Sequence, residues 1–294
     1  MIPDDGFFLI PSIVKEIKQA INIDDNKIFV SGHSNGATGS FSYLMKQPTP
    51  FAGFYGFNTY PKVFTGGTFI ENARNRSFIN FSTDQDYYYP PAANDALTIL
   101  MKKLKVDYKD YRYNGFPHWF PAFDESRTAH EILFADLVQR TRNPFPRDIS
   151  WEFDDNQYGS IDWLADLKLD TSLTRAKWHV PVNFGITSWL DYDDRDSLVV
   201  LEVDKNAFDF PRLSARVEAS YENNIFNIKT SCIRSLSIKI SPEMVNMNQK
   251  VKVFVNGVKY FDQKVRYNQA FMIKSFQKNL DRKQLWVDLI EIQL

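Results

Sequence analysis

The stretch Lys27-Ile28-Phe29-Val30-Ser31-Gly32-His33-Ser34-Asn35-Gly36-Ala37 constrains this chain more than any other. Ile28 to Val30 is a short apolar run that reads as a buried strand. It runs into Gly32-His33-Ser34-Asn35-Gly36, a G-x-S-x-G pattern, and the residues from Ala37 to about Lys46 suit a helix. Strand, sharp turn and helix are the context in which this pattern makes a nucleophile elbow. The turn holds the serine in a strained backbone conformation, so its hydroxyl stands clear at the tip. Small residues are needed two positions either side, where strand and helix backbones pass close together. Gly32 and Gly36 meet that demand.

The elbow sits in an alternating pattern. Phe7, Ile10, Ile13, Val14, Ile17 and Ile21 recur at helical spacing, with Lys15, Glu16, Lys18 and Gln19 on the other face. After the elbow come short strands at 51–57 and 76–82, a helix from Pro91 to about Lys105, a strand from Val106 to Tyr113, and a helix from Arg127 to Arg142. Strands alternating with helices predict a parallel sheet covered by helices. Arg142-Asn143-Pro144-Phe145-Pro146-Arg147 then breaks the pattern and reads as a linker. Beyond it lie short runs at 199–203, 213–221, 225–230, 235–240 and 285–292, several of them alternating apolar with polar. Asn256-Gly257 between Val251-Lys252-Val253-Phe254-Val255 and the run from Val258 to Val265 is a hairpin signal, because Asn-Gly suits a type I′ turn. The fold class expected is therefore α/β followed by all-β: an α/β domain over 1–143, then an antiparallel β-sandwich over 144–294.

Bulk properties narrow the chemistry. The 294 residues carry a net charge of −1, so no global field draws nucleic acid or anionic membrane. No apolar run approaches the length of a membrane span. The start, Met1-Ile2-Pro3-Asp4-Asp5, is acidic and lacks a signal-peptide layout. The single cysteine, Cys232, rules out an intramolecular disulfide and thiolate metal sites, and it reads as a small buried filler. Four histidines without ligand spacing give no reason to expect a metal, and no cofactor is expected.

A serine hydroxyl needs a base. His33 adjoins the serine, but its side chain is expected to point elsewhere. His130 lies in a helix, and His179 in the later segment reads as structural. His118 follows the fourth strand in the loop Asn114-Gly115-Phe116-Pro117-His118-Trp119, and loops at strand C-termini are where such sheets place their sites. An acid to orient the imidazole is expected after the third strand, in Thr83-Asp84-Gln85-Asp86. Asp86 is preferred, since it precedes Tyr87-Tyr88-Tyr89-Pro90, and Asp84 is the second candidate. The order Ser34, Asp86, His118 is that of the α/β-hydrolase arrangement.

On these residues, 1–142 resembles the C-terminal half of an α/β-hydrolase. The likeness is nearest to the poly(3-hydroxybutyrate) depolymerase and feruloyl-esterase type, and less close to the prolyl-oligopeptidase type. The features that carry it are Gly32-His33-Ser34-Asn35-Gly36-Ala37, the loop Thr83-Asp84-Gln85-Asp86 with Pro90 after it, and Gly115-Phe116-Pro117-His118-Trp119. The later segment, with Ala215-Arg216-Val217 and Val253-Phe254-Val255-Asn256-Gly257, is similar to domains fused to such esterases. The resemblance implies an extracytoplasmic setting and a small-molecule or polymer ester as substrate, cleaved through an acyl-enzyme, with the Asn35 amide as one oxyanion donor. The same residues would also serve a serine peptidase.

One departure bears on activity. Only residues 1–26 precede the elbow strand, where the family has further strands and the loop that supplies the second oxyanion amide. Losing one such donor costs about 2.7–4 kcal/mol of transition-state stabilisation. The elbow strand is then expected at an open sheet edge, to be covered by a missing segment or by another copy of the chain. The alternative from a different class is a catalytically impaired hydrolase-like protein that binds carbohydrate or a partner protein. Trp151, Trp163, Trp178 and Trp189 could stack on sugar rings, although packing of the core accounts for them more simply.

Overall fold

The computed structural model describes residues 4–61 and 67–294. Met1, Ile2 and Pro3 of the acidic start lie outside the described residues. In chain order the elements are α1 (Leu9–Ala20), β1 (Phe29–His33), α2 (Asn35–Lys46), β2 (Gly53–Phe57), β3 (Phe78–Gln85), α3 (Pro91–Lys103), β4 (Tyr108–Pro117) and α4 (Arg127–Gln139). There follow β5 (Asp148–Phe153), β6 (Leu164–Leu169), β7 (Gly185–Tyr192), β8 (Leu198–Asn206), β9 (Ala215–Glu222) and β10 (Ile225–Ser231). The last are β11 (Ile233–Ile240), β12 (Val251–Val255), β13 (Val258–Gln263), α5 (Gln269–Asn279) and β14 (Asp288–Gln293).

The chain groups into two compact units. One takes in Lys27–Arg142 and Val182–Phe210; the other takes in Phe7–Asn26, Asn143–Pro181 and Pro211–Leu294.

In the first unit β1, β2, β3 and β4 form a parallel sheet in that order. This is the α/β arrangement expected of alternating strands and helices. β2 is buried at every position, because it lies inside the sheet with side chains covered on both faces. Tyr55, Phe57, Ile79 and Phe81 meet Ala129 and Leu133 of α4 in one apolar cluster. Phe57 and Phe81 stack at 4.6 Å between ring centroids, a contact worth about 0.5–1.5 kcal/mol beyond its burial. Phe41 of α2 packs edge-on against Phe78, 5.1 Å away. Asp136 accepts from Tyr55 Oη at 2.7 Å and pairs with Arg140 at 2.6 Å, which ties α4 to the sheet. Since all four strands run the same way, the residues that follow them emerge on one side. Among the described residues β1 is an outer strand of this sheet. The hairpin β7–β8 also belongs to this unit, and Phe210 after it stacks on Phe69 at 5.7 Å.

The second unit holds a five-stranded sheet, β13-β12-β10-β9-β5, and a three-stranded sheet, β14-β11-β6. Pairing is antiparallel except between β10 and β12, which run parallel. Asn256 and Gly257 join β12 to β13 with φ of 49° and 83°, the positive pair a type I′ turn requires. Trp151 and Trp163 are fully buried here, donating their indole N–H to the carbonyls of Tyr158 and Pro146. Trp189 lies on β7, in the other unit.

Helix α1 departs from its amphipathic pattern. Ile13 and Ile17 are exposed, whereas Lys18 is buried and reaches Asp25 at 2.7 Å. Asp25 also accepts the Arg282 amide at 2.8 Å, and Phe8 stacks on Tyr158 at 5.7 Å. These contacts hold α1 within the second unit, although it precedes the elbow in sequence. A buried charge left unpaired costs about 3–5 kcal/mol, which outweighs the period of the apolar residues.

Candidate active site

Ser34 has φ of 59° and ψ of −125°, the strained conformation of an elbow. Its amide donates to the Phe57 carbonyl at 3.0 Å and its carbonyl accepts from Thr38 N at 3.0 Å, which anchors the turn to β2 on one side and α2 on the other. A methyl group at Gly32 would lie 2.3 Å from the Gly36 carbonyl carbon, so the strand and helix backbones touch there. A methyl group at Gly36 would meet nothing within 4 Å. The close approach is therefore one-sided: it demands glycine at 32 but not at 36.

His118 directly follows β4 and is buried. Its Nε2 lies 2.8 Å from Ser34 Oγ, and its Nδ1 lies 2.8 Å from Asp86 Oδ2. A carboxylate only accepts, so Nδ1 carries the proton and Nε2 accepts from the serine hydroxyl. Asp86, just past β3, is also buried. Its Oδ1 accepts from the amides of Tyr88 at 3.0 Å and Tyr89 at 2.9 Å, and its Oδ2 accepts from Asn58 Nδ2 at 2.7 Å. The structure thus brings Ser34, His118 and Asp86 into one hydrogen-bonded line. Asp84 stands apart and exposed, accepting the Gly115 amide at 2.7 Å.

Asn35 is the first residue of α2. Its N–H therefore has no acceptor within the helix and is available to an anion beside the serine.

Three further residues join this group. Asn58 follows β2 with φ of 54° and is buried; besides Asp86 it donates to Thr83 Oγ1 at 2.7 Å. Its position after a strand C-terminus is the signal that could have singled it out. His33, expected to point away, instead bonds through Nε2 to the His118 carbonyl at 2.8 Å, its ring 4.9 Å from that of His118. The carbonyl only accepts, so Nε2 of His33 is protonated. Burial holds the His33 imidazole below its usual 6.5, which favours the neutral ring. Tyr89 donates its hydroxyl to Asn35 Oδ1 at 2.6 Å. Tyr88 and Trp119 also border His118, with ring centroids 4.8 and 5.3 Å from its own.

The remaining histidines lie elsewhere. His130 stacks on Phe57 at 5.0 Å. His179 is buried in the second unit between Glu152, at 2.9 Å, and Ser231, at 2.9 Å. Cys232 is buried there as well. Among the described residues no helix is long and apolar enough to cross a membrane.

No family model and no curated protein matches the sequence. Solved structures similar to this chain include the esterase PE8, at 10% identity with a TM-score of 0.36, over 46% of this chain. A thermostable esterase aligns at 22% identity with a TM-score of 0.39, over 47% of this chain. SOBER1 of Arabidopsis thaliana aligns at 14% identity with a TM-score of 0.35, over 46% of this chain. The chain spans 61% of the length of PE8, 37% of the thermostable esterase and 62% of SOBER1.

Proposed function

We propose that this chain is a serine ester hydrolase. Ser34 Oγ attacks the ester carbonyl carbon while His118 Nε2 takes the hydroxyl proton. The carbonyl π electrons move onto oxygen, and the Asn35 amide stabilises the oxyanion. Collapse expels the alkoxide, which takes the proton from His118, and leaves an acyl-serine. A water then attacks in the same way: His118 removes its proton and returns it to Ser34 as the carboxylic acid leaves. Asp86 orients His118 and stabilises its charged form.

The observation that carries this reading is the line from Ser34 Oγ to His118 to Asp86, with both hydrogen bonds at 2.8 Å and the serine at positive φ. The substrate is a small-molecule or polymer ester. The test is labelling with a fluorophosphonate probe, alongside hydrolysis of a p-nitrophenyl ester. Wild-type protein should take the label on Ser34, and Ser34→Ala should take none and lose ester turnover. Folded wild-type protein that takes no label would sink the proposal and leave a binding role as the better account.

A further inference from the structure

The hydrolase reading assigns the Asn35 amide as one donor to the oxyanion beside Ser34. A second donor reaches the side chain of Asn35. Tyr89 sits three residues beyond Asp86, and its hydroxyl donates to Asn35 Oδ1 at 2.6 Å. That hydroxyl therefore lies at the first turn of α2, which Asn35 opens.

The ring is held from several sides. It stacks on Tyr60 with centroids 5.3 Å apart and planes 16° from parallel, and it meets His118 edge-on at 5.1 Å. Its backbone amide is bonded to Asp86. Tyr60 is itself tied to α2 through its amide, which donates to Thr38 Oγ1 at 3.2 Å. Little freedom is left to the side chain except rotation of the O–H about the C–O bond.

We propose that the Tyr89 hydroxyl is the second oxyanion donor of this site. The inference rests on Ser34 acting as a nucleophile. In the resting state the phenolic proton is held by a neutral amide oxygen. A tetrahedral oxyanion is the stronger acceptor, because a hydrogen bond to a full charge is roughly twice as strong as one between neutral groups. The O–H then turns from Asn35 Oδ1 to the oxyanion while the ring stays in place. Only the O–H has to turn at the barrier, because the ring is already in place. Burial also raises the phenol above its usual range, which keeps the proton on the oxygen through neutral and mildly alkaline pH.

The experiment compares wild type, Tyr89→Phe and Asn35→Ala in p-nitrophenyl butyrate hydrolysis and fluorophosphonate labelling. Tyr89→Phe should lower kcat by about 100- to 1000-fold with KM within about threefold of wild type, the loss typical of one oxyanion donor. Asn35→Ala keeps the backbone amide and the phenol, and should lose no more than about tenfold. A Tyr89→Phe enzyme within about threefold of wild type in kcat would overturn the assignment. Equal large losses in both variants would also overturn it, since Tyr89 would then act only by holding Asn35. A crystal structure of the phosphonylated wild-type protein tests the same point without any variant. The Tyr89 oxygen should lie about 2.7–3.1 Å from the phosphoryl oxygen, and a hydroxyl still bonded to Asn35 Oδ1 would count against donation. Wild-type protein that neither hydrolyses the ester nor takes the probe would instead bring down the hydrolase reading, and this inference with it.

Discussion

Asn58 Nδ2 donates to Asp86 Oδ2 over 2.7 Å, joining the residue after β2 to the acid just past β3. Both side chains are buried. Together with His118 Nδ1 and the amides of Tyr88 and Tyr89, this bond gives the carboxylate four donors. Asn58→Ala should leave that oxygen with His118 alone. The expected loss is about 1–3 kcal/mol of stability and about tenfold in kcat, the equivalent of one such bond. Asn58→Gly separates the hydrogen bond from the backbone, because φ of 54° strains alanine and not glycine. Urea unfolding should find the alanine variant less stable than the glycine variant by about 1 kcal/mol, while both lose activity alike. Equal activity of Asn58→Gly and wild type would show that the bond does not support His118.

Asp86 and Asp84 can be told apart directly. Asp86→Asn replaces the acceptor of His118 Nδ1–H with an amide and should lower kcat by about 10⁴-fold. Asp84 touches only the Gly115 amide among the polar contacts described for it. Asp84→Asn keeps an acceptor for that amide and should retain activity within about tenfold. Steady-state kinetics on one ester decides between them, and the reverse ranking would move the acid role to Asp84.

The two elbow glycines should differ in tolerance. Gly32→Ala drives a methyl group to 2.3 Å from the backbone of Gly36, where no side chain can yield. Overpacking of this kind costs about 1–3 kcal/mol or more, and the Ser34 turn would move with it. Gly36→Ala puts its methyl group into open space at the start of α2 and should change stability by no more than about 1 kcal/mol. Thermal melts and probe labelling of the pair test this. A benign Gly32→Ala would mean that the strand and helix do not approach so closely.

His33 predicts a pH dependence. Burial lowers its folded-state value below the ordinary 6.5, so the folded protein binds this proton less readily than the unfolded chain. Between the two values the unfolded state holds more protons, and stability rises with pH. The contribution is complete above about 6.5 and is lost as pH falls through the folded value. His33→Gln removes that titration. Its melting temperature should therefore fall less than that of wild type between about pH 7.5 and about pH 5.5. Parallel curves for the two proteins would remove His33 as the cause.

Local chemistry made the elbow legible. Gly32 is required by a contact only four residues long, and Ser34 takes its conformation from the turn that contact forms. The alternation of strands and helices likewise predicted that the loops after β1, β3 and β4 would share one side of a parallel sheet. The type I′ hairpin at Asn256-Gly257 was equally local, since two residues define it. Contacts between distant residues were another matter. Ser34 and His118 lie 84 residues apart, and which atoms meet depends on strand register. Register brings Asp86, rather than Asp84, to His118 and turns His33 onto the His118 carbonyl. It also sets Asn58 against Asp86 and Tyr89 against Asn35. Helix α1 followed no local rule either, since its place was decided by burial of Lys18 against Asp25 and by the bond from Asp25 to the far end of the chain. The turn that presents Ser34 is written in adjacent residues, because backbone sterics act over a few positions. What surrounds that serine arises on folding, because hydrogen bonds between separate strands and loops exist only once the sheet has fixed their spacing.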